Sequence, residues 1–147
     1  MWASILGSLR ERFADSEWLM IDSTVVRAHQ HAAGARGGQD AQALGRSKGG
    51  FSSKIHLLSD ALGYPLQYIV TGGERADCTQ ALALLRQCVQ TPEAVIADKG
   101  YDSDAIREGV MQQVSAAVIP AKTNRKTPVH HDKLLYAARH LAENAIN

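Results

Sequence analysis

The sequence predicts an α/β domain in which one mixed sheet carries helices on both faces. Two observations set this class. An early group of extended segments, ending in a hairpin pattern, gives way at Gly72-Gly73 to alternating helical and extended segments, the order from which mixed sheets are built. Two aspartates, Asp22 and Asp98, each follow directly on a short apolar run of strand length. Sheets of this class gather ligands beyond the carboxyl ends of their central strands.

The elements follow in order. Trp2, Ile5, Leu6, Leu9 and Phe13 recur at helical spacing, which predicts a lead-in helix over residues 1–16 ahead of a domain running from 17 to 147. Trp18 to Ile21 reads as a short strand delivering Asp22. Residues 32–50 hold six glycines (34, 37, 38, 45, 49 and 50) and read as a long flexible loop of the kind that is usually functional. Strands are expected at about 54–59 and 66–71, joined by the turn chemistry of Asp60 to Pro65. Asp77 is placed to cap a helix whose apolar face is Ala81, Leu82, Leu85, Cys88 and Val89. Ala94–Ala97, bounded by breakers, predicts a buried central strand ending on Asp98. Asp102 or Ser103 caps a helix reaching about Gln113, and Ala116–Ile119 forms a last strand stopped by Pro120. From Lys133 onward one helix is expected. Leu134, Leu135, Ala138, Leu141, Ala142 and Ala145 form its buried stripe, with Tyr136, Arg139, His140 and Glu143 opposite.

Composition narrows the function classes. At 147 residues, 45% apolar and 21% charged, the chain fits one globular domain rather than a disordered one. No apolar run approaches the roughly 20 residues that span a bilayer, and no secretory leader pattern opens the chain, so no membrane partner is expected. Cys78 and Cys88 fit free thiols packed into a helix face in a reducing compartment. The net charge of +1 identifies no partner, but the basic residues are clustered. Arg27, Arg36, Arg46, Lys48 and Lys54 oppose only Asp40 between residues 24 and 58. Lys122, Arg125, Lys126 and Lys133 surround His130 and His131 with only Asp132 opposing. Such stretches suit a polyanion or an ordinary solvated surface.

Three carboxylates, Asp22 and Asp98 at strand ends and Glu143 on a helix, are what a two-metal phosphoryl-transfer site requires. Mg²⁺ takes hard oxygen ligands, and two such ions about 4 Å apart activate the attacking oxygen and steady the leaving one. Arg139, one turn before Glu143, is spaced to grip a phosphate bidentately, and Tyr136 to pack or hydrogen-bond beside it. Other readings are weaker. His29-x-His31 lacks a third ligand at matching spacing for zinc, and its polar side chains suit DNA-facing contacts. Gly72-Gly73 belongs to no phosphate-loop pattern. Ser23 and Ser103 have no histidine–acid partners at readable positions. Asp102 and Asp104 read as helix N-terminal acids favoured by the dipole.

IDSTVVRAHQHAAGARG (21–37), ALGRSKGGFSSKIHLLSDALGYPL (43–66) and AVIADKGYDS (94–103) resemble DDE transposases of bacterial insertion sequences. The Tyr136-x-x-Arg139-x-x-x-Glu143 spacing is similar to the start of that family's C-terminal signature. The resemblance implies a ribonuclease-H-like fold and a strand-transfer reaction dependent on two Mg²⁺ or Mn²⁺ ions. It makes Asp22, Asp98 and Glu143 the catalytic acids and metal ligands. Tyr136, Arg139 and Lys99 would contact DNA, with Arg27, His29, Arg46 and Lys48 of the basic 24–58 segment beside them. The implied partners are transposon-end and target DNA, with self-association open, in a bacterial cytoplasm and at the nucleoid when bound. The family's basic residue seven positions past the glutamate falls beyond Asn147, and only about twenty residues precede Asp22. The expectation is therefore a core shortened at both ends, with a fold incomplete at the C-terminus. Two alternatives follow: an inactive remnant that folds and at most binds DNA or pairs with full-length copies, and a nuclease without joining activity.

Overall fold

A computed structural model describes residues 8, 17–29, 31, 34, 36–88, 91–113 and 116–146. The expected lead-in helix and Val89 lie outside the described residues.

Among the described residues, six strands form one mixed sheet: β1 (Trp18–Arg27), β2 (Gly45–Ser47), β3 (Gly50–Asp60), β4 (Pro65–Gly72), β5 (Ala94–Ala97) and β6 (Ala116–Val118). β3 lies antiparallel to β1 on one edge. Its other edge takes β4 along residues 53–59 and β2 along residues 50–52. β5 joins β1 in parallel, and β6 joins β5 in parallel. An antiparallel meander continued by parallel strands is the ribonuclease-H-like arrangement that the sequence resemblance implies.

The helices are α1 (Gly38–Ala41), α2 (Cys78–Arg86), α3 (Asp104–Gln113), α4 (Lys133–Ala137) and α5 (His140–Ile146). α2 and α3 cover one face of the sheet and α4 and α5 the other, following the alternation of the strand side chains. Leu19, Ile21, Leu58, Val95 and Ala97 point to one face and pack with Ala81, Leu84 and Leu85 of α2 and Ile106 and Val110 of α3. Met20, Ala94, Ile96 and Val118 point to the other and pack against Ala142 of α5, with Leu135, Ala138 and Leu141 alongside. β5 is buried throughout, as expected for a central strand covered on both sides. Cys78 and Cys88 are free and packed against the first core; Cys88 lies just past the end of α2.

Several local expectations change. β1 runs on to Arg27, because β3 lies in continuous antiparallel register with it from Leu19 to Arg27. Asp22 therefore sits mid-strand rather than at a strand end. The glycine-rich 32–50 stretch contains α1 and β2, with Arg46 paired to Phe51 and its guanidinium 5.8 Å from that ring centroid. Gly45 allows close passage of two backbones there: a Cβ would fall 2.9 Å from Gly72 Cα. The single terminal helix is two. Around Ala138–Ala142 the amides of Ala138, Arg139, Leu141 and Ala142 bond three residues back, tightening the turn to 3₁₀ form. Three residues per turn rotates α5 relative to α4, so the expected stripe cannot be continuous. Leu134 is 89% exposed, Ala145 is exposed, and Tyr136 packs against the core instead.

The β3–β4 turn supports α5 directly. Asp60 is buried and its Oδ1 accepts from the Leu62 and Tyr64 amides at 2.9 and 2.8 Å, shaping the turn. Gly63 holds φ +85° with its Cα against Leu141, and a Cβ would lie 2.7 Å from the Leu141 carbonyl oxygen. Gly63→Ala adds left-handed strain and pushes α5 away, so it is expected to destabilise the fold by about 2 kcal/mol or more. Thermal unfolding followed by circular dichroism measures this, with faster amide exchange at Leu141–Glu143 as the local sign; an unchanged melting temperature would refute it.

Candidate active site

The parallel register of β1 and β5 builds the site. Trp18 pairs with Ala94 and Ile21 with Ala97, so the next level holds Asp22 beside Asp98. Met20 and Ile96 face the α4–α5 side, and the two-residue period puts both aspartates on that same face. α5, packed against β1 and β3, brings Glu143 over them. Acids 76 and 45 positions apart in the sequence thus come into one neighbourhood, where Asp98 and Glu143 both act electrostatically on Asp22.

Arg139 joins them. Its Nη1 lies 3.4 Å from Asp22 Oδ2, and its Nη2 donates to Glu143 Oε1 one turn further on. The guanidinium also stands 5.9 Å from the Tyr136 ring centroid, and Tyr136 in turn meets His131 edge-on at 5.3 Å. Tyr136 therefore steadies the arginine by ring contact while packing on the core. Burial pushes the Asp22 carboxyl above its ordinary range. The Ser23 amide, donating to Asp22 Oδ1 at 2.9 Å, and the Arg139 charge oppose that shift, while Asp98 and Glu143 add to it. Asp98 Oδ1 accepts from Gly100 N at 2.8 Å, which caps the 3₁₀ turn Lys99–Tyr101. Among the described residues, no group of three or more His, Cys, Asp or Glu side chains stands close enough together to hold a metal as it is.

Asp77 does not do what its position suggests. It occupies the N-cap position of α2, yet its side chain makes no capping bond. Its Oδ1 instead accepts from Lys54 Nζ and from Ser23 Oγ, both at 2.8 Å. The carboxylate pins the opposite side of β1 at the residue following Asp22. Sequence spacing could not reveal this, since Ser23, Lys54 and Asp77 meet only across the folded sheet.

Asp102 is likewise more than a helix-terminal acid. Ser103 caps α3, its Oγ accepting from Ile106 N at 3.3 Å. Asp102 is 4% exposed and takes Arg107 Nε at 2.8 Å, Arg125 Nη1 at 3.0 Å and the Lys122 amide at 2.8 Å. Arg107 reaches on to the Ile119 carbonyl at 2.7 Å. This assembly holds the 119–125 segment against the Asp98 turn. Between them lies an open cleft of about 480 Å³ lined by Asp98, Lys99, Gly100, Lys122, Thr123 and Asn124. Lys122 was visible in the sequence only as one member of a basic stretch.

The other predicted DNA contacts lie apart. Arg27, His29, Arg46 and Lys48 are all exposed at the far end of β1 and the neighbouring β2. At about 3.4 Å per residue, Arg27 stands roughly 17 Å along the strand from Asp22. His29 and His31 lie with ring centroids 4.8 Å apart. No helix among the described residues is long and apolar enough to cross a membrane.

Fold and acid placement together define a ribonuclease-H-like domain with carboxylates gathered at the exit of its parallel strand pair. Residues 14–145 match the model of the transposase DDE domain family, and the chain belongs to that family. It is 35% identical over 97 residues to the transposase named for insertion sequence element IS6501 of Brucella ovis, covering 65% of this chain and 74% of that protein. It is 34% identical over 85 residues to the one named for IS402 of Burkholderia cepacia, covering 51% of this chain and 39% of that protein. In shape alone it is similar to the crystal structure of the catalytic domain of Mos1 mariner transposase, with a TM-score of 0.46 at 9% identity over 97% of this chain and 85% of that one.

Asp102 gives the region its own pH dependence. Burial works against its ionisation, but the Lys122 amide and the bonds and charges of Arg107 and Arg125 outweigh it, holding the carboxyl below 3.8. A carboxyl depressed by folding stabilises the protein fully above its unfolded value, and that stability is lost as pH falls through the folded one. Asp102→Asn strands a buried arginine and is expected to cost about 3 kcal/mol at neutral pH. Urea unfolding across pH 2–7 tests this: the gap between the two proteins should narrow only below about pH 4, and a gap that is absent or independent of pH would contradict it.

Proposed function

We propose that the chain, with residues 17–147 as its catalytic domain, performs divalent-metal-dependent cleavage and strand transfer of DNA at insertion-sequence ends. The observation that carries this reading is the alignment of Asp22 with Asp98 by the Ile21–Ala97 register, with Arg139 reaching both Asp22 and Glu143. Asp22, Asp98 and Glu143 are the proposed catalytic and metal-binding acids.

The donor set fits a hard divalent cation, being three carboxylates with no thiolate or imidazole among them. Their mutual repulsion, felt at Asp22, is the electrostatic demand that such a cation meets. When bound, Mg²⁺ or Mn²⁺ supplies Lewis acidity and lowers the pKa of an attacking water or 3′-hydroxyl. The protein's own groups do the rest. Arg139 neutralises Asp22 and Glu143 while the acids await a cation, and must release at least one of them for it. Steered by the Tyr136 ring, the freed guanidinium is then available to a DNA phosphate. The Asp77–Ser23 bond keeps β1 from shifting at the Asp22 level. Lys99 contacts the DNA beside Asp98, and Arg27, His29, Arg46 and Lys48 track its backbone at the far end of the sheet.

Asp22→Asn, Asp98→Asn and Glu143→Gln are each expected to lower Mg²⁺-dependent cleavage and joining of an end-containing oligonucleotide by about 100-fold or more. Isothermal titration with Mg²⁺ should weaken in parallel. Cleavage by the wild-type chain that persists in EDTA, or in Asp98→Asn, would overturn the reading. Cutting without joining would reduce it to a nuclease.

A further inference from the structure

We propose that the cleft between the Asp98–Gly100 turn and residues 122–124 is a phosphodiester-binding subsite for DNA. Lys99 and Lys122 serve as its cations, and Thr123 and Asn124 as its neutral donors. The subsite rests on the DNA-processing role proposed above and extends it to a loop outside the three acids and their arginine.

The basic residues near Asp98 divide into two groups. Arg107 and Arg125 are committed to Asp102, and Arg125 also reaches Asp104. Lys99 and Lys122 both line the cleft, and among the described residues neither ammonium forms an ion pair. Among the described residues the only acid in the lining is Asp98, against two lysines, so the lining carries an excess of positive charge. A lysine ammonium binds phosphate as a compact point charge, without needing the planar fork that arginine requires.

The loop is also fixed in advance. Its backbone is tied at Ile119 by Arg107 and at Lys122 by Asp102. Arg125 N closes a turn on the Lys122 carbonyl at 3.0 Å, and Arg125 Nε donates to the Thr127 carbonyl at 3.2 Å. The buried carboxylate thus holds main chain, leaving the side chains of residues 122–124 to the cleft. A site whose backbone is already ordered spends little on ordering when its ligand arrives. Its position beside Asp98 sets a bound phosphodiester next to the aligned acids.

The test is fluorescence anisotropy of a short fluorescein-labelled DNA duplex bound by the whole chain in EDTA, over a KCl series. Relative to wild type, Lys122→Ala should weaken binding at every salt concentration and lower the slope of log affinity against log salt by about 1, and Lys99→Ala/Lys122→Ala by about 2. Lys126→Ala, an exposed lysine of the same loop outside the cleft lining, should change the slope far less. Lys122→Arg should restore most of the affinity. Because Lys122→Ala keeps the amide that Asp102 holds, unchanged thermal melting is expected and separates lost contact from lost fold. Wild-type slopes in the double variant, or an equal loss in Lys126→Ala, overturn the subsite while leaving the proposed function standing. A wild-type chain that binds no duplex even at low salt removes both.

Discussion

The pairing of Ile21 with Ala97 is the constraint on which the site depends. Parallel strands that share this register must present their next residues at the same height, and both of those residues are aspartates. Ile21 and Ala97 are nearly inaccessible, locked into the core formed with α2 and α3. A slip of one residue would exchange the two faces of β1, sending Leu19 and Ile21 into the core shaped for Met20 and Met20 into theirs, and the misfit in both packed cores opposes the shift. The same burial that stabilises the domain thereby aligns two like charges at its edge. Water is partly excluded there, and burial, with a smaller contribution from the neighbouring acids, raises the Asp22 carboxyl.

The protein balances its partly and fully buried carboxylates with guanidinium groups, and in two different ways. At the acids, Arg139 is shared between Asp22 and Glu143 while Tyr136 lies against it; Glu143 is 43% exposed and Asp22 17% exposed. The Glu143 end, the more open of the two, is the more weakly held. Around Asp102 the arrangement is closed: a carboxylate 1% exposed, two arginines and a main-chain amide satisfy one another. One assembly suits the proposed site for cations and phosphate. The other suits a structural joint that holds the 119–125 segment in place.

Much of this was legible beforehand because it rests on local periodicity. β5, the hairpin of β3 and β4, α2 and α3 each follow from an apolar pattern with turn or cap chemistry at its ends. The three acids, Tyr136 and Arg139 were singled out as candidates by motif order and spacing, and Arg139 is seen to link Asp22 with Glu143. The extent of β1 was not, since Asp22 to Arg27 is extended by pairing with β3 rather than by an apolar run of its own. Nor was the break at Ala138–Arg139, where docking of α5 on the second core and the Gly63 contact outweigh the preference for one straight helix.

What the sequence determined by itself was the class of fold, the family and the identity of the acidic and basic residues, because these reside in pattern and residue type. What only the tertiary structure decided was which of them meet. Asp77 turned from cap to anchor of β1, Asp102 from dipole partner to buried hub, and Lys122 from one of many surface charges to a wall of the cleft beside Asp98. Arg27, Arg46 and Lys48 were set at the far end of the sheet, away from the acids. The reason is physical: electrostatic and hydrogen-bond partners are chosen by distance in space, and strand register and helix docking, not sequence separation, set those distances.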